Sequence, residues 1–79
     1  MNEMDSWVAE VTAELGLTDV TVPSKEILDV ARDVAHNVLR PGAPVSAYIL
    51  GLAVAAGADP AEAAAKISAL ALQRSTSDS

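Results

Sequence analysis

The chain has 79 residues, a net charge of −6 and 51% apolar residues, yet aromatics make up only 3%. The length excludes a second domain. Sixteen alanines, no Phe, no Cys and only two rings, Trp7 and Tyr48, exclude a disulfide scaffold, intrinsic disorder and most small barrels, and leave a helix former's composition.

A first helix is predicted over about 4–15, where Met4, Trp7, Val8, Val11 and Leu15 recur at three- and four-residue spacing while Glu3, Glu10 and Glu14 face away. Gly16 ends it as a left-handed cap. Residues 17–22, Leu-Thr-Asp-Val-Thr-Val, alternate like a short strand but have no partner strand in the chain. They read as an extended connector whose Leu17, Val20 or Val22 lids the core. Pro23 and Ser24 open a second helix over about 23–39, proline suiting a first turn where a missing N–H has no intrahelical partner to lose. Its apolar stripe is Ile27, Leu28, Ala31, Val34, Ala35, Val38 and Leu39, and Asp29, Arg32, Asp33, His36, Asn37 and Arg40 form the opposite row. Pro41 stops it, because the ring clashes with the preceding turn. Arg40-Pro41-Gly42-Ala43-Pro44 is therefore a rigid corner.

The third helix, over about 44–56 with Gly57 as cap, has almost no polar face: Val45, Ile49, Leu50, Leu52 and Val54 point in different directions. A helix apolar all round is either central or shared with another chain. Ala47, Gly51 and Ala55 lie four apart and offer a smooth strip for close approach of another helix, which explains a glycine that costs about 1 kcal/mol against alanine in mid-helix. Asp59-Pro60-Ala61-Glu62 starts the fourth helix, over about 60–74, as a capping box with proline in the first turn. Its larger apolar residues are Ile67, Leu70 and Leu72, set among alanines. Residues 75–79, Ser-Thr-Ser-Asp-Ser, read as a disordered tail.

The expectation is an all-α fold: a compact bundle of four short helices forming one domain over 1–74. Its 24 larger apolar side chains supply about 3 to 5 kcal/mol of net stability, with no disulfide or metal to add more. Oligomerisation is the remaining staple, so a homodimer is expected, with Ala47, Tyr48, Gly51, Leu52 and Ala55 as its interface. The alternative is a monomer whose connector completes the cover. Trp7 and Tyr48 read as core or interface anchors with one polar atom each to satisfy.

Eleven carboxylates against five Lys and Arg, with no basic stripe, speak against a nucleic-acid partner. Met1-Asn2-Glu3-Met4-Asp5 is acidic where a secretory signal needs positive charge, and the longest apolar stretch, 43–58, is shorter than the roughly 20 residues that span a bilayer. No membrane partner and a cytoplasmic location are expected.

Candidate chemistry is confined to the second helix and its corner. Asp29, Asp33, His36 and Arg40 fall at spacings of four, three and four and so share a ridge, on which Asp33 can hold His36 and His36 can face Arg40. One use of that ridge is an anion pocket: Arg40 as a fork, His36 as a switchable donor, and Ser46 with the free N–H groups of the third helix as a terminus site. The other is a solvated face with its carboxylates early and its His and Arg late, as the helix dipole prefers. One histidine and no cysteine make a poor zinc site, so neither a metal nor a cofactor is expected. No nucleophile stands beside His36 in sequence, and no catalytic residue is assigned. Asp5-Ser6-Trp7 is similar to the Asp-Ser-Leu attachment site of acyl carriers, but that serine starts the second carrier helix and Ser6 lies in the first.

Arg32-Asp33-Val34-Ala35-His36, followed by Arg40-Pro41-Gly42-Ala43-Pro44 and an apolar, glycine-bearing helix, resembles a small helical bacterial domain of unknown function. That domain is found alone or fused behind the molybdopterin-guanine dinucleotide nucleotidyltransferase. The resemblance covers about 7–72 and rests on the Arg-Asp-x-Ala-His and Arg-Pro-x-Ala-Pro pair. Family members often carry Gly where Asn37 stands and a second Ala where Gly42 stands; the motif's polar residues are all present. The resemblance implies a non-enzymatic accessory of molybdenum cofactor assembly, with a cofactor-assembly enzyme as partner. It implies no catalysis, since the transferase's glycine-rich nucleotide loop and basic residues are absent. A phosphorylated pterin or nucleotide, if bound, would meet Arg32, Asp33, His36 and Arg40. The other reading is an interaction bundle whose function is its dimer surface, with those four residues as ion pairs that hold the corner.

Overall fold

Local capping chemistry sets most helix ends in this computed structural model, which describes residues 2–77 and, of 75–77, the backbone alone. Asn2 Oδ1 accepts the Asp5 N–H at 2.8 Å and starts α1 (Glu3–Glu14) one residue before the expected position. Gly16, at φ 73°, ends it: the Gly16 N–H donates to Ala13 O and the Leu17 N–H to Thr12 O, the bond pair of a Schellman cap. Gly57, at φ 110°, closes α3 (Gly42–Ala55) in the same way, with its N–H on Val54 O and that of Ala58 on Ala53 O. Both glycine caps are as expected. Asp59 Oδ2 accepts the Glu62 N–H at 3.0 Å at the start of α4 (Pro60–Ser77), while the return bond that would complete a capping box is not formed. The backbone of α4 continues past the expected end near residue 74, and the rest of the tail expected over 75–79 lies outside the described residues.

The second helix departs most from expectation. α2 (Ser24–Asn37) ends before Val38, whose φ of −121° and ψ of −80° leave the helical region three residues ahead of Pro41. Both the Val38 and the Leu39 N–H donate to Val34 O, at 2.9 and 3.1 Å, so the last turn widens. The Gly42 N–H then returns to Leu39 O and the Ala43 N–H to Arg40 O, and α3 begins at Gly42 rather than Pro44. Proline disfavours helical backbone in the residue before it, so Arg40 cannot extend α2 and the chain turns early.

Four helices, with no strand among the described residues, make the expected all-α architecture. α2 packs on both α4 and α3, and α3 packs on α4. The shared core is small: Val30 at 0% exposure, Val34, Leu50 at 1%, Ala64 and Ala71, flanked by Ile27, Val38, Val54, Ala63 and Ile67. Val30 is absent from the predicted stripe of α2, and Leu28 and Leu39, both in it, are exposed. Contact with helices on two sides rotates the buried arc of α2 toward Val30, away from the face that a single neighbour would cover. Alanines on α4 and Gly42 on α3 permit the close approach; a methyl at Gly42 would lie 3.0 Å from Val34 Cγ1 and 3.3 Å from Leu39 Cδ2.

α1 stands apart. No Cα of α1 comes within 8 Å of a Cα in another helix, and Met4, Trp7 and Leu15 of its apolar stripe are exposed. The radius of gyration is 13.6 Å, against about 11.6 Å for a compact chain of this length. The connector covers the core in part, since Leu17 and Val20 are exposed and Val22 is half-buried. With Ile27, Leu50, Gly51 and Val54, these three line an apolar cavity of 390 Å³.

Two substitutions on neighbouring positions of α3 should move stability in opposite directions. Leu50→Ala should cost about 2–5 kcal/mol, enough to unfold much of the protein. No atom lies within 4 Å of a methyl built at Gly51, so Gly51→Ala should stabilise by about 0.5–1 kcal/mol. Urea unfolding followed by far-ultraviolet circular dichroism measures both.

Candidate functional site

The carboxylates and bases on the polar side of α2 pair with one another. Lys25 Nζ donates to Asp29 Oδ2 at 2.9 Å, one turn along the helix. Arg32 spans two carboxylates, its NH1 3.5 Å from Asp29 Oδ1 and its Nε donating to Asp33 Oδ1 at 3.4 Å. Asp33 does not hold His36 as expected; its side chain, 20% exposed, takes Arg32 instead. Asn37 Nδ2 donates to Asp33 O at 2.8 Å and closes the last turn from the side-chain direction. These groups border a 290 Å³ cleft whose other wall is Ala61, Ala64, Ala65 and Ser68 of α4. Small residues on that wall let α4 lie beside the ion pairs without displacing them.

The side chains of His36 and Arg40 make no hydrogen bond or ion pair with the described residues, and both residues are exposed. Arg40 sits in the corner after α2, where the Gly42 and Ala43 N–H groups are already engaged and Pro41 and Pro44 have none. The backbone donors of a helix-terminus anion site are therefore spent at α3. Ser46 is half-buried in a 270 Å³ groove that Leu39 and Gly42 of the corner share with Val45, Ile67 and Leu70, and the basic residue lining it is Arg74, not Arg40. Of the five candidate ligand residues, the structure joins Arg32 to Asp33, leaves His36 and Arg40 open to solvent, and sets Ser46 in an apolar groove with Arg74.

The bond from Lys25, opposed by partial desolvation and aided by the charges of Lys25 and Arg32, holds the Asp29 carboxyl below its ordinary 3.8. The same bond, with the Asp29 charge, raises Lys25 above 10.5. Both side chains are well solvated, so the pair is a surface i, i+4 bridge that supports the helix modestly. Among the described residues no three His, Cys, Asp or Glu side chains converge as ligands for a metal ion, and no helix is long and apolar enough to cross a membrane.

Exposed apolar side chains gather on α3. Of the expected interface residues, Ala47 is half-buried and Tyr48, Gly51, Leu52 and Ala55 are exposed, Tyr48 at 70%. The strip Ala47, Gly51, Ala55 is not met by another helix within the chain; Gly51 and Ala55 face the connector cavity instead. α3 is thus not a central helix: one side packs on α2 and α4, and Val45, Tyr48, Ile49 and Leu52 form an exposed outer side. Trp7, also exposed, is no core anchor. The sequence reading passed over a groove between α3 and α4, lined by Val45 and Ile49 on one helix and Ala63, Ile67 and Leu70 on the other. The three- and four-residue spacing of Ala63, Ile67 and Leu70 could have marked it.

The chain matches, over residues 1–79, the family described as a domain of unknown function, DUF6457, and it belongs to that family. No curated protein and no solved structure matches it.

Because the folded pKa of Asp29 is depressed, the bridge contributes above pH 3.8 and is lost as pH falls through the lower folded value. For Lys25 the folded value is raised, so the contribution is present below 10.5 and lost as pH rises past it. Lys25→Gln should therefore lower the Tm slightly at neutral pH, and the gap from the parent should close in acid and shrink with added salt. Thermal melts across pH at two salt concentrations measure it.

Proposed function

We propose that this member of the DUF6457 family is a non-enzymatic accessory module that docks a partner protein on the outer side of α3. One observation carries the reading: Tyr48 and Leu52, both exposed, lie on the outer side of a helix that has no charged residue, with Val45 and Ile49 at its edge toward α4. Water-exposed apolar side chains grouped in this way are costly unless something covers them, and a tyrosine amid aliphatic residues is the composition of an interface centre. Stability points the same way, since a core with two fully buried larger side chains gains from any partner that binds the folded state.

The partner's identity rests on the resemblance carried by Arg32 to His36 and Arg40 to Pro44. It is the enzyme that joins guanylate to molybdopterin, and the module acts in molybdenum cofactor assembly. Docking is favoured over an anionic ligand at the Arg40 corner by the state of the polar groups. Arg32 is already engaged by two carboxylates, and the corner's backbone donors are occupied. His36 and Arg40 remain as the side chains that a phosphorylated ligand would meet.

Calorimetric titration of the full chain into purified molybdopterin-guanine dinucleotide nucleotidyltransferase tests this. Saturable binding is expected, weakened at least about tenfold by Tyr48→Glu or Leu52→Glu with helicity unchanged, and unaffected by His36→Ala with Arg40→Ala. Absence of binding by the parent chain overturns the reading. Loss on changing His36 and Arg40 alone moves the site to the corner.

A further inference from the structure

The molecule has an amphipathic helix without a seat and an apolar groove without an occupant. α1 turns Met4, Trp7, Val8, Val11 and Leu15 to one side; its Thr12 borders the connector cavity, but no Cα of α1 comes within 8 Å of another helix, and Met4, Trp7 and Leu15 are exposed. Between α3 and α4 two clefts open to solvent meet at Ile67, one lined by Ile49 and Ala63 and the other by Val45 and Leu70, and together they form a groove along the helix pair. We propose that α1 of one copy lies in the α3–α4 groove of a second copy, and that the exchange is reciprocal, giving a two-fold dimer.

Length and area favour this occupant. α1 has 12 residues, about 18 Å of helix, and the α4 wall from Ala63 to Arg74 is about 16.5 Å long at the same rise. Glu3, Glu10 and Glu14 flank the apolar stripe of α1 on its Trp7 edge, and α1 has no basic residue. Lys66 and Arg74 stand on the rim of the groove, about 12 Å apart along α4, close to the roughly 10.5 Å between Glu3 and Glu10. Asp59 and Glu62 also stand at the α4 N-terminal end of the groove, Asp59 occupied in capping. With Lys66 and Arg74 offset by Asp59 and Glu62 the rim carries no net charge, so charge sets the direction in which α1 lies, its carboxylates toward the two bases, and apolar burial supplies the attraction.

The exposed surface is 5816 Å², whereas a folded monomer of 8.1 kDa exposes about 4,500 Å². The excess, about 1,300 Å², covers the roughly 800 Å² that each partner contributes to a stable interface. The cavity that Thr12 of α1 borders shares no lining residue with the groove. The connector that follows α1 meets the bundle beside Ile27, Leu50 and Val54, on the side where α3 packs against α2. A second copy avoids the detour that a single chain would have to make, and symmetry makes both grooves and both helices complementary at once.

The test needs only the pure full chain, so its result is independent of any partner enzyme. Sedimentation equilibrium should give twice 8.1 kDa at micromolar concentrations. Emission of the single tryptophan, Trp7, should shift to shorter wavelength as the dimer forms. Trp7→Glu and Leu70→Glu change exposed side chains outside the core, so each should leave circular dichroism unchanged and yield monomers. The chain has no cysteine; mixing Trp7→Cys with Leu70→Cys under mild oxidation should give an inter-chain disulfide between the two variants. A monomer mass for the parent overturns the proposal. So does a dimer that survives Trp7→Glu, or a Trp7→Cys, Leu70→Cys double variant that closes within one chain.

Discussion

The contact on which the structure depends is that of α2 with two neighbours at once. Val30 and Val34 lie against Leu50 of α3 and against Ala64 and Ala71 of α4. Branched side chains on the middle helix meet alanines on one flank, and at the corner Gly42 comes close enough to Val34 that a methyl there would be tight. Close approach of backbones is what a small chain with few rings can offer in place of large buried side chains. It concentrates the core on few residues and leaves the rest of the apolar content outside.

The division of labour across the surface follows from that economy. The polar face of α2 is drawn against the alanine wall of α4 and satisfies itself with ion pairs: Lys25 with Asp29, and Arg32 with Asp29 and Asp33. Groups so engaged serve to stiffen the helix, and the early turn at Val38 uses up the backbone donors that an anion would have needed. Apolar side chains have no comparable way to satisfy one another on a convex surface. Val45, Tyr48, Ile49, Leu52, Leu70 and the stripe of α1 remain in water, and those are the places where binding a protein returns the most free energy.

Much of the fold was legible in residues whose effects are local. Gly16 and Gly57 adopt the left-handed backbone expected of them, Asp59 caps α4, and Pro41 separates α2 from α3. These depend on backbone sterics and on hydrogen bonds a few residues long. Asn2 as the cap of α1 was available on the same logic and was passed over. The candidate site was harder to read. Spacing placed Asp33, His36 and Arg40 on one ridge, but spacing is blind to competition, and Arg32 reaches Asp33 where His36 was expected. Ser46 was near the corner in sequence and fell into an apolar groove in space, because the first turn of α3 rotates it toward Ile67 and Leu70.

The sequence by itself determined that the chain is all helix, where the caps lie, and that the third helix has apolar residues on every side. Those properties follow from interactions within one turn or between positions three and four apart. Only the tertiary structure decided which apolar residues are core. Burial belongs to the arc a helix turns toward its neighbours, and that arc is set by how many neighbours it has: two for α2, which brings in Val30 and turns out Leu28; α2 and α4 on one side for α3, which leaves Tyr48 and Leu52 outside; none for α1. A period identifies a stripe, but contact between helices decides whether the stripe is covered, and in this protein the stripe of α1 and the outer side of α3 are left exposed.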